Sequence, residues 1–420
     1  MHDNYTLVLL NLKDKHLKVT KIDRQNGKYY AHVKYSHGYH TCPHCGSITS
    51  KIHDYRTKVI KHGVINGEFG YLVYHMRRYV CKNCFKRFNE PHNFVEKYGK
   101  VSNLTKRLIL KESTKLNNFK TISENLNISF STVVRYLDKH IKVSRKPLSE
   151  VISIDEFKNH TKGDGKYSVC ITDPINKKII DILPDRKSKH LVEYFRRIPI
   201  EERDNVKYII IDMWDPYRQI ALKYFPKAIL IADKFHFSRH IFWTFNSVRV
   251  NIMNNFKADS DEYHILKKYW KTLMSPSNKL NTLNTIYDKK LNEKLTGPQI
   301  QKRASLIDPR LKDALTIKNF FFNNVNVYTD GLEFITDLRD YLYDSINPEF
   351  KSLVSMFRNW NTEIINSFTS YREKKLTNGF IEGLNNYIKV IKRISFGYRN
   401  FKRFKTRIIH LFNKDSILIG

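Results

Sequence analysis

Two apolar runs each deliver a carboxylate where one is expensive. VISIDEF at 151–157 carries Asp155 and Glu156, and KYIIIDMW at 207–214 carries Asp212. An acid at the end of a buried strand must be hydrogen-bonded, paired or holding a metal. Two such acids predict an acidic metal centre. Set close together, they raise one another's pKa unless a cation neutralises them. Hard, oxygen-seeking Mg2+ or Mn2+ suits that site. Two such ions about 4 Å apart would activate an attacking water or hydroxyl and stabilise the leaving oxygen at phosphorus.

A third carboxylate would complete the set. Glu382, in TNGFIEGLNNYIKVIKR on a predicted helix, is the best candidate. Gly379 and Gly383 flank it and admit close approach of backbone or substrate. Asn378, Asn385 and Asn386 are placed to orient substrate. The alternative for Glu382 is a surface helix acid. In ADKFHF, Asp233 and His236 are candidates for a supporting ligand and a phosphate-orienting group; a helix cap and a packed imidazole are the competing reading. Glu156 alternates away from Asp155 and is a second-choice ligand. Asp215 is expected to cap the helix after its strand, and Cys170 to be a small buried apolar residue.

A second chemistry sits near the N-terminus. CPHC at 42–45 and CKNC at 81–84 place Cys42, Cys45, Cys81 and Cys84 in two C-x2-C turns. Each turn presents two thiolates to one ion, and two turns complete a tetrahedral site for structural Zn2+. A redox C-x2-C would not explain the second pair. With Cys170 the chain has five cysteines, a pattern of a reducing interior with a metal site.

The elements that must position these groups follow from periodicity. Between the cysteine pairs, YRTKVIKHGVINGEFGYLVYHMRRYV alternates like a hairpin turning near Asn66–Gly67. Ser102 can cap a helix through NLTKRLILKEST. Thr121 and Glu124 form a capping-box pattern for the next helix, and Ser129 can cap FSTVVRYLDKHIK. That is the order of a helix-turn-helix, with Ser131, Thr132 and Arg135 toward base edges. An ordinary three-helix unit is the plain alternative. From 150 the pattern becomes VISIDEF, KYSVCITD and KKIIDILPD, joined by short links at GDG and PIN, then helix, strand, helix and strand. This order predicts an α/β, ribonuclease-H-like core whose first and fourth strands are neighbours, bringing Asp155 and Asp212 together.

The expected division is a zinc module at 1–95, a helix-turn-helix domain at 96–147, and the core at 148–236. An all-helical insertion at 237–377 would split that core, and 378–420 would complete it with a basic C-terminal segment. Between Lys389 and Arg407 the chain carries eight Lys or Arg and no acid. Lys389, Lys392, Arg393, Arg399, Lys402 and Arg403 are therefore candidate DNA-backbone contacts. The formal net charge of +33, spread along the chain, implies an anionic polymer as partner. No run of 18 apolar residues predicts a membrane span, and the N-terminus does not read as a signal peptide.

Taken together, CPHCGS, CKNC, TISENLNISFSTVVRYL, SIDEF, IIIDMWDPY, ADKFHF and NGFIEGLNNYIKVIKRISFGYRNFKRFKTRI resemble, in family order, the ISL3-family transposases of bacterial insertion sequences. Those belong to the DDE superfamily. The resemblance implies a catalytic triad at Asp155, Asp212 and Glu382 and a magnesium-dependent core. It implies binding of double-stranded DNA at terminal inverted repeats and at a target site. Cleavage would leave 3′-hydroxyls that attack target phosphates, in a homodimer or higher multimer on DNA. It also implies a cytoplasmic, nucleoid-associated protein. The alternatives are a structure-selective nuclease on the same fold, a DNA-binding regulator with a dead catalytic fold, and a zinc-containing RNA-binding protein.

Overall fold

The computed structural model describes residues 2–14, 16–36, 38–65, 67–159 and 165–413. The chain forms two compact units, Met1–Ser144 with Lys389–Gly420, and Arg145–Ile388.

The first unit opens with a helix, His2–Leu9, followed by the strands Leu17–Gln25 and Lys28–Tyr35. These join the long hairpin Ile52–Ile65/Glu68–Val80 in one sheet, because Lys28–Tyr35 pairs in parallel with Glu68–Val80. The undistinctive first 40 residues thus extend the sheet of the cysteine module. Leu10, Leu17, Val33, Ile60, Leu72 and Tyr74 bury its core. The hairpin turns at Gly67, whose φ of +79° suits glycine; Asn66 lies outside the described residues.

Three helices follow, Asn103–Ser113, Phe119–Asn125 and Phe130–His140, over a small core of Ile109, Ile122, Ile128, Val133 and Leu137. Ser102 and Ser129 cap the first and third as expected. The second differs from expectation. Asn118 caps it, accepting from Thr121 N, so Thr121 and Glu124 lie inside the helix and form no capping box.

The last helix of the unit, Phe401–Phe412, is held by buried polar groups. Arg407 donates to the carbonyls of Ser113, Lys115 (2.7 Å) and Asn117 (2.6 Å), closing the end of helix Asn103–Ser113. Ser113 Oγ and His410 Nε2 lie 3.0 Å apart. These bonds tie the chain past Ile388 to this unit, while 378–388 stays with the core.

The second unit is built on a five-stranded sheet. Its strands are Val151–Lys158, Tyr167–Asp173, Lys178–Leu183, Tyr208–Ile211 and Ile229–Ala232. The first three form an antiparallel meander. Tyr208–Ile211 lies parallel between Val151–Lys158 and Ile229–Ala232, so the first and fourth strands are neighbours. Of the expected GDG link, Gly163 and Asp164 fall outside the described residues. The other link turns at Asp173, whose Oδ1 accepts from Ile175 N and Asn176 N. The helix after the fourth strand begins at Asp215. Trp214 holds the cap position, so Asp215 sits in the first turn instead of capping.

Residues 237–377 are not all helical. Eight α-helices run from Lys234–Met253 to Asn361–Asn366, but two hairpins interrupt them, Ile286–Asp288/Glu293–Leu295 and Ser370–Tyr371/Lys374–Lys375. Asp288 makes the first possible. Fully buried, it accepts from His264, Lys268 and Tyr269 and from the turn amides of Lys290 and Leu291. The second turns on Arg372 and Glu373, both at positive φ (48° and 63°). Such a turn is normally signalled by Asn-Gly or Asp-Gly, and neither dipeptide stands here. Among the described residues no helix is long and apolar enough to cross a membrane.

Candidate active site and metal centres

Strand alternation sets the acidic site. Val151, Ile210 and Ile231 face one side of the sheet, where Leu376 packs on them. Ile152, Ile154, Ile209, Ile211 and Ala232 face the other core. Period-2 alternation therefore sends Asp155, Asp212 and Asp233 to the Leu376 side. Register aligns them as well. Ile154 pairs with Ile211, and Ile211 with Ala232, so the three acids are the next residues on three adjacent parallel strands.

Glu382 arrives on helix Gly379–Ile394. Two hooks hold the start of that helix to the rim. Asn378 N donates to Asp233 Oδ1 at 3.3 Å, while Asn378 Oδ1 accepts from Ser153 Oγ. One turn beyond Glu382, Asn385 Nδ2 donates to Asp155 Oδ2 at 3.1 Å and approaches the Glu156 carbonyl at 3.4 Å. A Cβ on Gly383 would meet open space, so no packing within the chain demands that glycine.

The electrostatics tie these acids together. Burial pushes Asp155 up to about 6, and the charges of Glu156 and Glu382 add to it. Burial, then Asp155 and Glu156, push Asp212 up to about 7. Burial pushes Asp233 up to about 7, with Glu382 and Asp155 adding to it. Each deprotonated acid is thus unfavourable here until a cation arrives. Asp212 Oδ1, Asp233 Oδ2 and Asn385 Oδ1 are buried acceptors without a hydrogen-bond partner. Buried oxygens of that kind cost free energy unless something fills the space between them. A divalent ion suits such a donor set. The acids do not converge on one point, because they form no group of three with ligand atoms within 4.8 Å of one another. A two-ion arrangement needs no such convergence, since each ion touches part of the set.

Asp233 precedes helix Lys234–Met253 but makes no capping bond with its side chain. His236 Nε2 lies 3.9 Å from Asp233 Oδ2. Burial and the neighbouring Arg239 lower its pKa to about 4, so the imidazole is neutral near pH 7.

Sequence reasoning missed a second layer at this rim. Glu156 turns away as expected, onto Arg186 Nη1 at 2.6 and 2.8 Å. The Arg186 guanidinium lies over the rings of Tyr167 (4.6 Å) and Trp214 (4.8 Å). The buried Tyr217 hydroxyl has no hydrogen-bond partner and feels the charges of Glu156, Asp212 and Asp155. Trp214 and Tyr217 stand in the same DMWDPY run as Asp212, which was the available signal. Cys170 is fully buried opposite Asp155, as expected.

The thiolates form the other centre. Cys42 and Cys84 Sγ lie 3.6 Å apart, Cys45 and Cys81 Sγ 3.5 Å, and all four within 4.8 Å. Tetrahedral Zn–S bonds of about 2.3 Å put sulfurs about 3.8 Å apart, so the cluster supports structural zinc. The two knuckles repeat one geometry. Gly46 N donates to Cys42 O and Phe85 N to Cys81 O, and both residues adopt positive φ (75° and 57°). His44 and His92 fall outside this ligand group.

The candidate DNA contacts are dispersed in the first unit. Ser131 and Arg135 are exposed on helix Phe130–His140. The Thr132 hydroxyl is engaged with the Ser129 cap at 2.7 Å. Lys389, Arg393, Arg399, Lys402 and Arg403 are exposed, and Lys392 is half-buried. Arg403 pairs with Asp138 at 2.8 Å.

Comparison with known proteins adds an independent finding. A family model described as the ISL3 DDE-type transposase matches residues 152–408, more than half of the chain. A second, described as the zinc-finger of transposase IS204/IS1001/IS1096/IS1165, matches residues 38–84. The transposase for insertion sequence element IS1001 of Bordetella parapertussis is 24% identical over 381 residues, covering 87% of each chain.

Proposed function

The chain belongs to the ISL3 family of transposases, and on that premise we propose that it cuts DNA at the ends of its own element and joins them to target DNA. The observation that carries this reading is the in-register placement of Asp155 and Asp212 on neighbouring parallel strands, with Glu382 returned to the same rim. An antiparallel meander beside parallel strands also supports a ribonuclease-H-like core.

Asp155, Asp212 and Glu382 would hold Mg2+ or Mn2+ in this reading. Bound there, divalent ions would activate the attacking oxygen and offset charge on the leaving oxygen. Asn385 fixes the Asp155 carboxylate, and Asn378 fixes Asp233. Asp233 supports the set, while neutral His236 can donate its ring N–H to a nearby phosphate oxygen. Water first cuts a phosphodiester and frees a 3′-hydroxyl. That hydroxyl then displaces the 3′-oxygen of a target phosphodiester, so no covalent protein intermediate is needed.

The zinc ribbon and the helices Phe119–Asn125 and Phe130–His140, read as a helix-turn-helix, recognise the end repeats. Ser131 and Arg135 face base edges, and Lys389, Lys392, Arg393, Arg399, Lys402 and Arg403 meet backbone. Two ends are paired in a homodimer or larger multimer.

The test is direct. Purified protein with magnesium is expected to cut and join DNA carrying the repeats that flank its gene. Asp155→Ala, Asp212→Ala and Glu382→Ala are expected to lose both steps yet retain end binding. Full strand transfer by all three variants sinks the assignment.

A further inference from the structure

We propose that Arg186 contacts a backbone phosphate of the strand being cut, at the rim of the acidic centre, with the guanidinium edge that Glu156 leaves open. This rests on the reading of that centre as a DNA-processing site.

The geometry is that of a preset anion contact. The Arg186 guanidinium carbon lies over the rings of Tyr167 and Trp214, 4.6 and 4.8 Å from their centroids, and these contacts restrain the side chain. Both carboxylate oxygens of Glu156 fall on Nη1, at 2.6 and 2.8 Å. Nη2 and Nε are not used in that pair, and 36% of the side chain stays exposed. An arginine serving only to neutralise Glu156 would be expected to take it side-on through two nitrogens. Here the carboxylate occupies one corner and the remaining donors suit a phosphate.

Charge favours such a contact. Asp155, Glu156, Asp212, Asp233 and Glu382 act on one another at this rim. A polyanion approaching five carboxylates is repelled unless cations lie along its path. Arg186 is a cation whose charge reaches Asp212 and Tyr217. It belongs to the same unit as the acids and lies far in sequence from the basic segment beyond Lys389.

The experiment measures binding of full-length protein to end DNA in calcium, which supports binding without hydrolysis. Methylphosphonates, which lack the phosphate charge, replace single phosphates around the cut. Native protein is expected to lose about tenfold in affinity at one position, the scale of one charged hydrogen bond. Arg186→Ala is expected to bind the native and substituted DNA alike at that position, and Arg186→Lys to retain part of the difference. Unfolding midpoints close to native show that the variants fold, and Arg186→Lys serves if the alanine variant does not. The contact is overturned if Arg186→Ala keeps the position-specific loss, or if no position matters to native protein. It is equally overturned if Glu156→Gln restores native affinity to Arg186→Ala, since Arg186 would then only neutralise Glu156. Native protein that shows the loss but cuts nothing in magnesium would remove the transposase chemistry and leave the contact standing.

Discussion

Asn385 donates its side-chain amide to Asp155 Oδ2 at 3.1 Å, joining the helix that carries Glu382 to the strand that carries Asp155. The bond does two things at once. It orients one carboxylate, and it fixes how far along the rim the other can reach. Asn385 and Glu382 are three residues apart on one helix, so they share a face.

Asn385→Ala is therefore expected to raise the magnesium concentration needed for half-maximal cutting and to slow cutting about tenfold, the scale of one hydrogen bond to a charged group. End binding should stay native, because Asn385 lies outside the recognition elements. A magnesium titration of the cutting rate, run beside an end-binding assay, checks this. An unchanged magnesium requirement would remove Asn385 as a positioning residue.

The acids predict a pH signature. Asp155 and Asp212 stand at about 6 and about 7 when folded, above the unfolded value of about 3.9. The folded chain thus binds more protons between about pH 4 and pH 7, so this contribution to stability is lost as pH rises through that window. Without added divalent cation, thermal scans from pH 5 to 8 should show native protein losing more stability than Asp212→Asn. Magnesium at pH 8 should raise the native midpoint and leave the variant nearly unmoved. Equal pH slopes in the two proteins would contradict it.

The thiolate cluster predicts about one zinc per chain. Cys42→Ser is expected to lose that zinc and to expose the ribbon to proteolysis, because metal binding and folding are coupled in such modules. Metal analysis of reduced, folded protein decides the matter; a zinc-free native sample would end this assignment.

Two basic residues of the C-terminal segment should behave oppositely. Arg407 is buried on three backbone carbonyls, so Arg407→Ala is expected to cost about 3 kcal/mol of stability. Lys402 is exposed, so Lys402→Ala should leave stability native and lower the salt dependence of DNA binding by about one unit of slope. Denaturant unfolding and binding across salt concentrations separate the two. A stable Arg407→Ala protein would show that those carbonyls find other donors.

Much of this was legible locally. Two apolar runs ending in acids gave Asp155 and Asp212, because strand alternation and burial act on neighbouring residues. Ser102 and Ser129 were readable as caps for the same reason. The cap at Asn118 was missed because Thr121 and Glu124 offered a competing local pattern. The hairpin at Arg372–Glu373 was missed because it lacks a glycine turn. Arg407 closes the basic run at 389–407, and nothing in such a run marks the side chain that turns inward.

The donors are written in the order of residues alone. It set four thiolates in paired turns, carboxylates at strand ends, and a positive charge that calls for a polyanion. Which of these meet depends on the folded chain. Glu382 reaches the rim because Leu376 packs on Val151, Ile210 and Ile231, and because Asn378 and Asn385 bond to acids far away in the chain. Arg186 lies beside Glu156 because two aromatic rings from separate segments hold it there. Periodicity and capping record the surroundings a residue makes with its near neighbours. Contacts across a long insertion depend on how the whole chain packs.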